Sequence, residues 1–143
     1  MLKGISPMLS PELLAALYTM GHGDEIVLAD AHYPSDRYGK RVIRADGLPI
    51  PELLEAILPL LELDAYVEHP VLMMAPVEGD QADPAVESTY MKSVLYHSPQ
   101  TLPPLHLERF AFYERSTSAF AIVATGDTSK YANLILTKGV TPT

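Results

Sequence analysis

Thirteen prolines in 143 residues, roughly twice average usage of ~5%, confine this chain to short elements. Proline fixes φ and has no amide hydrogen, so it opens helices and ends strands. Ser10-Pro11-Glu12 and Asp83-Pro84 each place a capping side chain before a proline, which predicts helices starting at Pro11 and Pro84, the second running to about Tyr96. In the first, Leu13, Leu14, Leu17 and Met20 share a face and Gly21 is the expected left-handed stop. In the second, Val86, Tyr90, Met91 and Val94 point inward. Pro51 to Leu61 has apolar residues at 53, 54, 57, 58 and 61, a helical spacing that Pro59 should kink or end. Between these segments lie apolar runs of strand length: Glu25 to Ala29, Pro70 to Pro76, Phe120 to Ala124, and shorter ones at Arg41 to Ala45, Leu105 to Leu107 and Leu134 to Leu136. Phe110 to Ser116 reads as a short helix. His32 to Lys40 reads as a polar loop without regular structure, and Asp46-Gly47 as a turn. Helices alternating with buried strands imply an α/β fold with a mainly parallel sheet, and 143 residues suit a single domain spanning 1–143.

Composition removes several function classes. Ten basic against eighteen acidic residues give a net charge of -8, which opposes binding to a phosphate backbone, so no nucleic-acid partner is expected. With no cysteine, thiol chemistry and thiolate metal sites are excluded, which fits a reducing cytoplasm. No apolar run approaches the ~18–20 residues of a membrane span and no secretory signal opens the chain, so a cytoplasmic protein without membrane attachment is expected.

Polar chemistry concentrates in Met20 to Pro34, where two histidines and three carboxylates surround one apolar run. His22 lies between two glycines just beyond the first helix, and Asp30 and His32 follow the strand, the end at which α/β proteins keep ligands. The segments Glu108 to Arg115 and Tyr131-Ala132-Asn133 add an arginine, tyrosines and an amide, groups that hold polyhydroxylated ligands.

Further segments run in the same order: Val42-Ile-Arg-Ala-Asp-Gly-Leu48, Leu63-Asp64, Val77-Glu-Gly-Asp80, Arg109-Phe-Ala-Phe-Tyr-Glu-Arg115, Phe120-Ala-Ile-Val123 and Lys138-Gly-Val140. With Met20-Gly-His-Gly-Asp-Glu-Ile26 and Asp30-Ala-His-Tyr-Pro34, they cover nearly the whole chain. The chain thereby resembles the sugar-mutarotase family of L-fucose mutarotases and D-ribose pyranases, most closely its L-fucose branch. The resemblance implies a three-layer α/β/α sandwich, assembly into a homodecamer of two pentameric rings, an active site completed by a neighbouring subunit, and a monosaccharide substrate. It implies His22 as proton donor, Asp30, Arg109, Tyr131 and Asn133 as sugar-binding residues, and Tyr113 and Asp64 as further candidates. One departure is Ala132, where the family usually has glycine. Were that position left-handed, alanine would strain the turn.

Interconverting α and β anomers removes a proton from the anomeric hydroxyl, gives one to the ring oxygen, opens the ring and recloses it. General acid–base catalysis suffices, worth about 10²–10⁴-fold for a well-placed group, and no metal or cofactor is required. Histidine, with an unperturbed pKa near 6.5, works in both directions. His22 would serve the ring oxygen, with Tyr113 or Tyr131 at the anomeric hydroxyl. Asp30 would orient His22 or bind a sugar hydroxyl, and Arg109 would donate to hydroxyl oxygens. Structural alternatives stand beside these roles: His22 as a turn residue, Asp30 as a cap, Arg109 as an ion-pair partner of Glu108 or Glu114, Tyr131 as core. Glu78 and Asp80 read as loop carboxylates, and His69, His97 and His106 as structural or exposed. His22, Asp24, Asp30 and His32 form a weak metal-site pattern. A non-catalytic monosaccharide-binding or transport-accessory protein is the alternative function.

Overall fold

Along β1 (Glu25–Ala29), Ile26 and Leu28 pack into a cluster of 25 buried residues, while Val27 and Ala29 pack into a second cluster of 9. A strand whose alternate side chains enter two separate cores lies between two helical layers, hence its unbroken apolar composition. The computed structural model describes residues 1–143, and the chain forms the three layers expected. The larger core joins one sheet face to α1 (Pro11–Thr19), α3 (Ile50–Ile57) and α4 (Pro84–His97). The smaller joins the other face to α5 (Arg109–Thr117), through Phe112, and to the segment around Tyr33 that leads into α2 (Ser35–Tyr38). No helix is long and apolar enough to cross a membrane.

The remaining strands are β2 (Val42–Ala45), β3 (Val71–Met74), β4 (Leu105–Leu107), β5 (Ala121–Thr125) and β6 (Leu134–Thr137), in the sheet order β2-β5-β1-β6-β3-β4. β1 pairs in parallel with β5, β5 with β2, and β3 with β4, whereas β6 is antiparallel to both β1 and β3. Five strands therefore share a direction and β6 alone reverses it. This reversal positions the site, because the residues before β6 emerge at the end where the other five strands finish.

Most helix starts follow their capping chemistry. Ser10 Oγ accepts from the Leu13 amide at 3.1 Å, and Asp83 Oδ1 from the Ala85 amide at 2.9 Å. Before Pro59, α3 stops at Ile57, as a ring without an amide hydrogen requires. Two local expectations are corrected. Gly21 is not the left-handed residue: α1 ends with Met20 extended, and Gly23 takes the positive φ of 88°. Lys138 Nζ donates to the carbonyls of Leu17 and Met20 at 2.7 and 2.6 Å, satisfying the helix end that a glycine turn would otherwise close. Within the loop expected over His32 to Lys40, residues Ser35–Tyr38 form one helical turn. Its support is tertiary: Tyr38 stacks on Tyr113 with ring centroids 4.8 Å apart and an interplanar angle of 17°. Gly39 ends this turn in ordinary extended geometry and is needed for space, since a Cβ there would lie 2.8 Å from Val42 Cγ2.

Candidate active site

At the finishing end of β1, Asp30 is buried to 5% exposure. Its amide donates to Asn133 Oδ1 at 2.7 Å, joining the residue after β1 to the residue before the reversed β6. Its carboxylate accepts from the His32 amide at 3.0 Å. Burial pushes the Asp30 carboxyl above its ordinary value, while the amides of His32 and Ala132 and the His32 ring pull the other way. Asn133, also buried, lines the cavity and uses its side-chain oxygen on Asp30, so its amide nitrogen is not engaged by that bond.

That cavity has a volume of about 280 Å³, near the lower limit of about 300 Å³ for small-ligand sites. Arg109, in the first turn of α5, enters it with Nε donating to Tyr113 Oη at 3.1 Å, one helical turn on. The guanidinium carbon lies 5.5 Å from the Tyr113 ring centre and 5.2 Å from that of Phe110. Arg109 therefore partners a phenol and aromatic faces, not Glu108 or Glu114. Glu108 is occupied as the cap of α5, accepting from the Phe110 and Ala111 amides at 3.0 Å each. Tyr33 meets Tyr113 edge-on at 5.4 Å and Tyr38 stacks on it, so the Tyr113 phenol is held by aromatic packing. Burial raises the Tyr33 hydroxyl well above its ordinary value, and its proton goes to Ser116 Oγ at 2.7 Å.

Tyr131 also lines the cavity, with φ at 55°, the one non-glycine residue in the left-handed region. Backbone strain thus falls on Tyr131 and not on Ala132, whose φ is not positive. Ala132 is fully buried and its carbonyl accepts from Tyr90 Oη at 2.8 Å, so alanine is accommodated there without strain. Tyr131 Oη donates to Asp80 Oδ2 at 2.7 Å, and Lys130 Nζ to Asp80 Oδ1 at 2.9 Å. These bonds, Lys130 first, hold the Asp80 carboxyl down to about 2. Met74 and Val77 supply an apolar wall.

His22 and Asp64 lie at the other end of the sheet. His22 Nε2 is 3.0 Å from Asp64 Oδ1, which also accepts from the Tyr66 amide at 3.0 Å, and the His22 and Tyr66 rings are 5.0 Å apart. Asp64 is buried and the imidazole 44% exposed. Reversed β6 fixes this pair as well: Lys138 bridges to Leu63, the Asp64 amide donates to the Thr137 carbonyl at 3.0 Å, and the Gly23 amide to the Lys138 carbonyl at 2.8 Å. Gly139 is packed so closely that a Cβ would lie 2.7 Å from the Leu63 carbonyl.

The chain therefore gathers Asp30, Arg109, Tyr113, Tyr131 and Asn133 around one cavity and separates them from His22 and Asp64 by the length of β1, roughly 15 Å at ~3.3 Å per residue. Within one chain Asp64, not Asp30, orients His22. His22, Asp24, Asp30 and His32 do not converge, and no group of three or more metal-ligating side chains gathers in the chain. Sequence reasoning missed Lys130 in the cavity wall, and it read Asp80, with Glu78, as a loop carboxylate. The only trace of their association is the adjacency of Lys130 to Tyr131.

Residues 3–141 match the RbsD / FucU transport protein family. The chain belongs to this family. Among RbsD/FucU proteins, it is 57% identical over 142 residues to the L-fucose mutarotase of Haemophilus influenzae (strain 86-028NP), with 99% of both chains covered. It is 51% identical, with the same coverage, to the L-fucose mutarotase of Histophilus somni (strain 2336). The crystal structure of the fucose mutarotase in complex with L-fucose from Streptococcus pneumoniae has the same RbsD/FucU fold, with a TM-score of 0.94 and 50% identity over 99% of this chain and 100% of that one.

Proposed function

We propose that this protein is an L-fucose mutarotase-like isomerase that interconverts the α and β anomers of L-fucose, or of a closely related monosaccharide, without a cofactor. The observation that carries this reading is the convergence of Asp30, Arg109, Tyr113, Tyr131 and Asn133 on one sugar-sized cavity, in a chain 57% identical to a named L-fucose mutarotase. Asp30 accepts from sugar hydroxyls. Arg109 and the Asn133 amide nitrogen donate to hydroxyl oxygens. The wall of Met74 and Val77 suits the methyl group of a 6-deoxy sugar, which a pentose lacks.

His22 supplies the proton at the ring oxygen. A carboxylate only accepts, so Nε2 carries the hydrogen toward Asp64 and Nδ1 is the nitrogen free to exchange a proton. One of the cavity phenols, Tyr113 or Tyr131, serves the anomeric hydroxyl. As the anomeric oxygen loses its proton and the ring oxygen gains one, the bond between the anomeric carbon and the ring oxygen breaks, giving the open aldehyde. Rotation and the reverse transfers give the other anomer. Since His22 and the cavity occupy opposite ends of one chain, the working site combines the cavity of one subunit with the half-exposed His22 of a neighbour. This agrees with the decamer of two pentameric rings that the family resemblance implies, and a cytoplasmic location accompanies it.

Saturation-transfer NMR on a panel of monosaccharides tests the proposal. The expected result is catalysed exchange between the anomers of L-fucose, faster than for D-ribose and above the spontaneous rate. Binding of L-fucose without faster exchange would instead identify a sugar-binding protein.

A further inference from the structure

We propose that Asp80 is a positioning residue for anomer exchange: by taking the phenolic hydrogen of Tyr131, it leaves the Tyr131 oxygen to act as the acceptor at the anomeric hydroxyl. This inference rests on the mutarotase reading above and decides which of the two cavity phenols serves that hydroxyl.

A phenol has one hydrogen and two lone pairs, so its first partner fixes what it can offer a second. Tyr131 Oη gives its hydrogen to Asp80 Oδ2 at 2.7 Å and receives only a long contact, 3.4 Å, from the Val77 amide. It retains acceptor capacity toward the cavity and has no hydrogen left to donate. Tyr113 has the opposite polarity. Its oxygen already accepts from Arg109 Nε at 3.1 Å, so its hydrogen is the group available to a ligand. The cavity thus presents one accepting and one donating phenol. Tyr131 takes the anomeric proton as its own hydrogen passes to Asp80 Oδ2, and the reverse transfer restores both on ring closure. Tyr113 donates a hydrogen bond to a sugar hydroxyl, and the ring oxygen is left to His22.

Two features hold Asp80 in this role. Lys130 Nζ occupies Oδ1 at 2.9 Å, which keeps the side chain ionised and directs Oδ2 to the phenol. The Asp80 amide closes a turn onto the Val77 carbonyl at 3.0 Å, with Gly79 at φ 83°, so the carboxylate projects from a tight loop just beyond β3. The bond from Tyr131 Oη to Asp80 Oδ2 ties down a residue held in the left-handed conformation that tyrosine otherwise avoids.

The experiment compares wild type, Asp80→Ala, Asp80→Asn, Tyr131→Phe and the double variant Asp80→Ala/Tyr131→Phe, measuring L-fucose anomer exchange by saturation-transfer NMR over a range of sugar concentrations. Both Asp80 variants should lose about tenfold or more in kcat with KM changed by less than about threefold, and Asp80→Glu should recover part of the loss. In the Tyr131→Phe background, removing Asp80 should cost nothing further, because no phenolic hydrogen remains to orient. Wild-type kcat in both Asp80 variants would overturn the proposal. So would losses that multiply in the double variant, since they would mean that Asp80 acts only by shaping its loop. A wild type that does not exchange the anomers above the spontaneous rate would overturn the mutarotase reading itself and the Asp80 role with it.

Discussion

His22 Nε2 and Asp64 Oδ1 lie 3.0 Å apart, bringing together residues 42 positions distant in sequence. The carboxylate is buried while the imidazole is half exposed, so Asp64 fixes the ring through Nε2 and leaves Nδ1 free of that bond. His22→Asn should therefore slow L-fucose anomer exchange by about 10²-fold or more while sugar affinity, set at the cavity end, stays within about twofold. Asp64→Asn should lose less, about tenfold, because the amide oxygen still accepts but no longer enforces which nitrogen carries the hydrogen. Saturation transfer gives the rates and titration calorimetry the affinities. Equal exchange in wild type and His22→Asn would remove the histidine from the mechanism.

Asp30 should trade stability for binding. Burial raises its folded-state pKa above the unfolded value of 3.8, so ionising it opposes folding. The penalty is absent below about pH 3.8, grows as pH rises through the raised folded value, and is complete above it. Asp30→Asn keeps an oxygen to accept from the His32 amide and removes the buried charge. At pH 7 it should denature at higher urea than wild type, and the difference should shrink as pH falls toward 4. Its L-fucose affinity should drop by about 10–100-fold, as expected on losing a charged acceptor. A variant less stable than wild type at pH 7 would show that the carboxylate is well compensated where it lies.

The Glu25 and Arg115 pair is structural and should behave differently. Arg115 Nε and Nη2 donate to the two Glu25 oxygens at 2.8 Å each, clamping the start of β1 to the last turn of α5. Glu25 is buried, with a further contact of only 3.3 Å from Thr137 Oγ1. Arg115→Met leaves that carboxylate nearly alone and should cost about 1–3 kcal/mol in urea denaturation. This is less than for a fully enclosed pair, because the guanidinium is half exposed and water replaces part of the interaction. Glu25→Met combined with Arg115→Met should restore much of the loss. A double variant weaker than the sum of the single effects would show that the pair does more than satisfy a buried charge.

Legibility in the sequence followed the range of the interactions. The starts of α1 and α4 were readable because cap and proline are neighbours, and β1 because a strand buried on both faces is apolar throughout. The turn of α2 was not, since Tyr38 stacking on a tyrosine 75 positions away supports it. Nor was the reversed direction of β6: the apolar run Leu134 to Leu136 looks the same run either way, yet that direction brings Asn133 to Asp30 and Lys138 to the first helix. The sequence places His22 before β1 and Asp30 after it, but only the folded sheet shows that Arg109, Tyr113, Tyr131 and Asn133 gather at the Asp30 end and Asp64 at the His22 end. Asp80 reads as a loop carboxylate, and its bond to Tyr131 was not legible because the two lie 51 residues apart.

That separation makes the strongest prediction one about subunits. His22 precedes β1 and Asp30 follows it, so one chain holds them at opposite ends of that strand. If the site forms between neighbours, His22→Asn and Asp30→Asn homomers should each be nearly inactive, for different reasons. Subunits of the two variants co-expressed from differently tagged chains should assemble into mixed oligomers containing some interfaces with an intact cavity facing an intact His22. For random mixing in equal amounts, each interface draws its two halves independently, so about one quarter should be fully wild type. Tandem affinity purification followed by saturation-transfer NMR should then recover roughly that fraction of wild-type exchange, while mixing separately purified variants that do not exchange subunits should recover none. Light scattering on the same samples should show oligomers at micromolar concentration. A mixed assembly as inactive as its parents, or a wild type that exchanges anomers as a monomer, would sink the shared site and require His22 and the cavity to act separately.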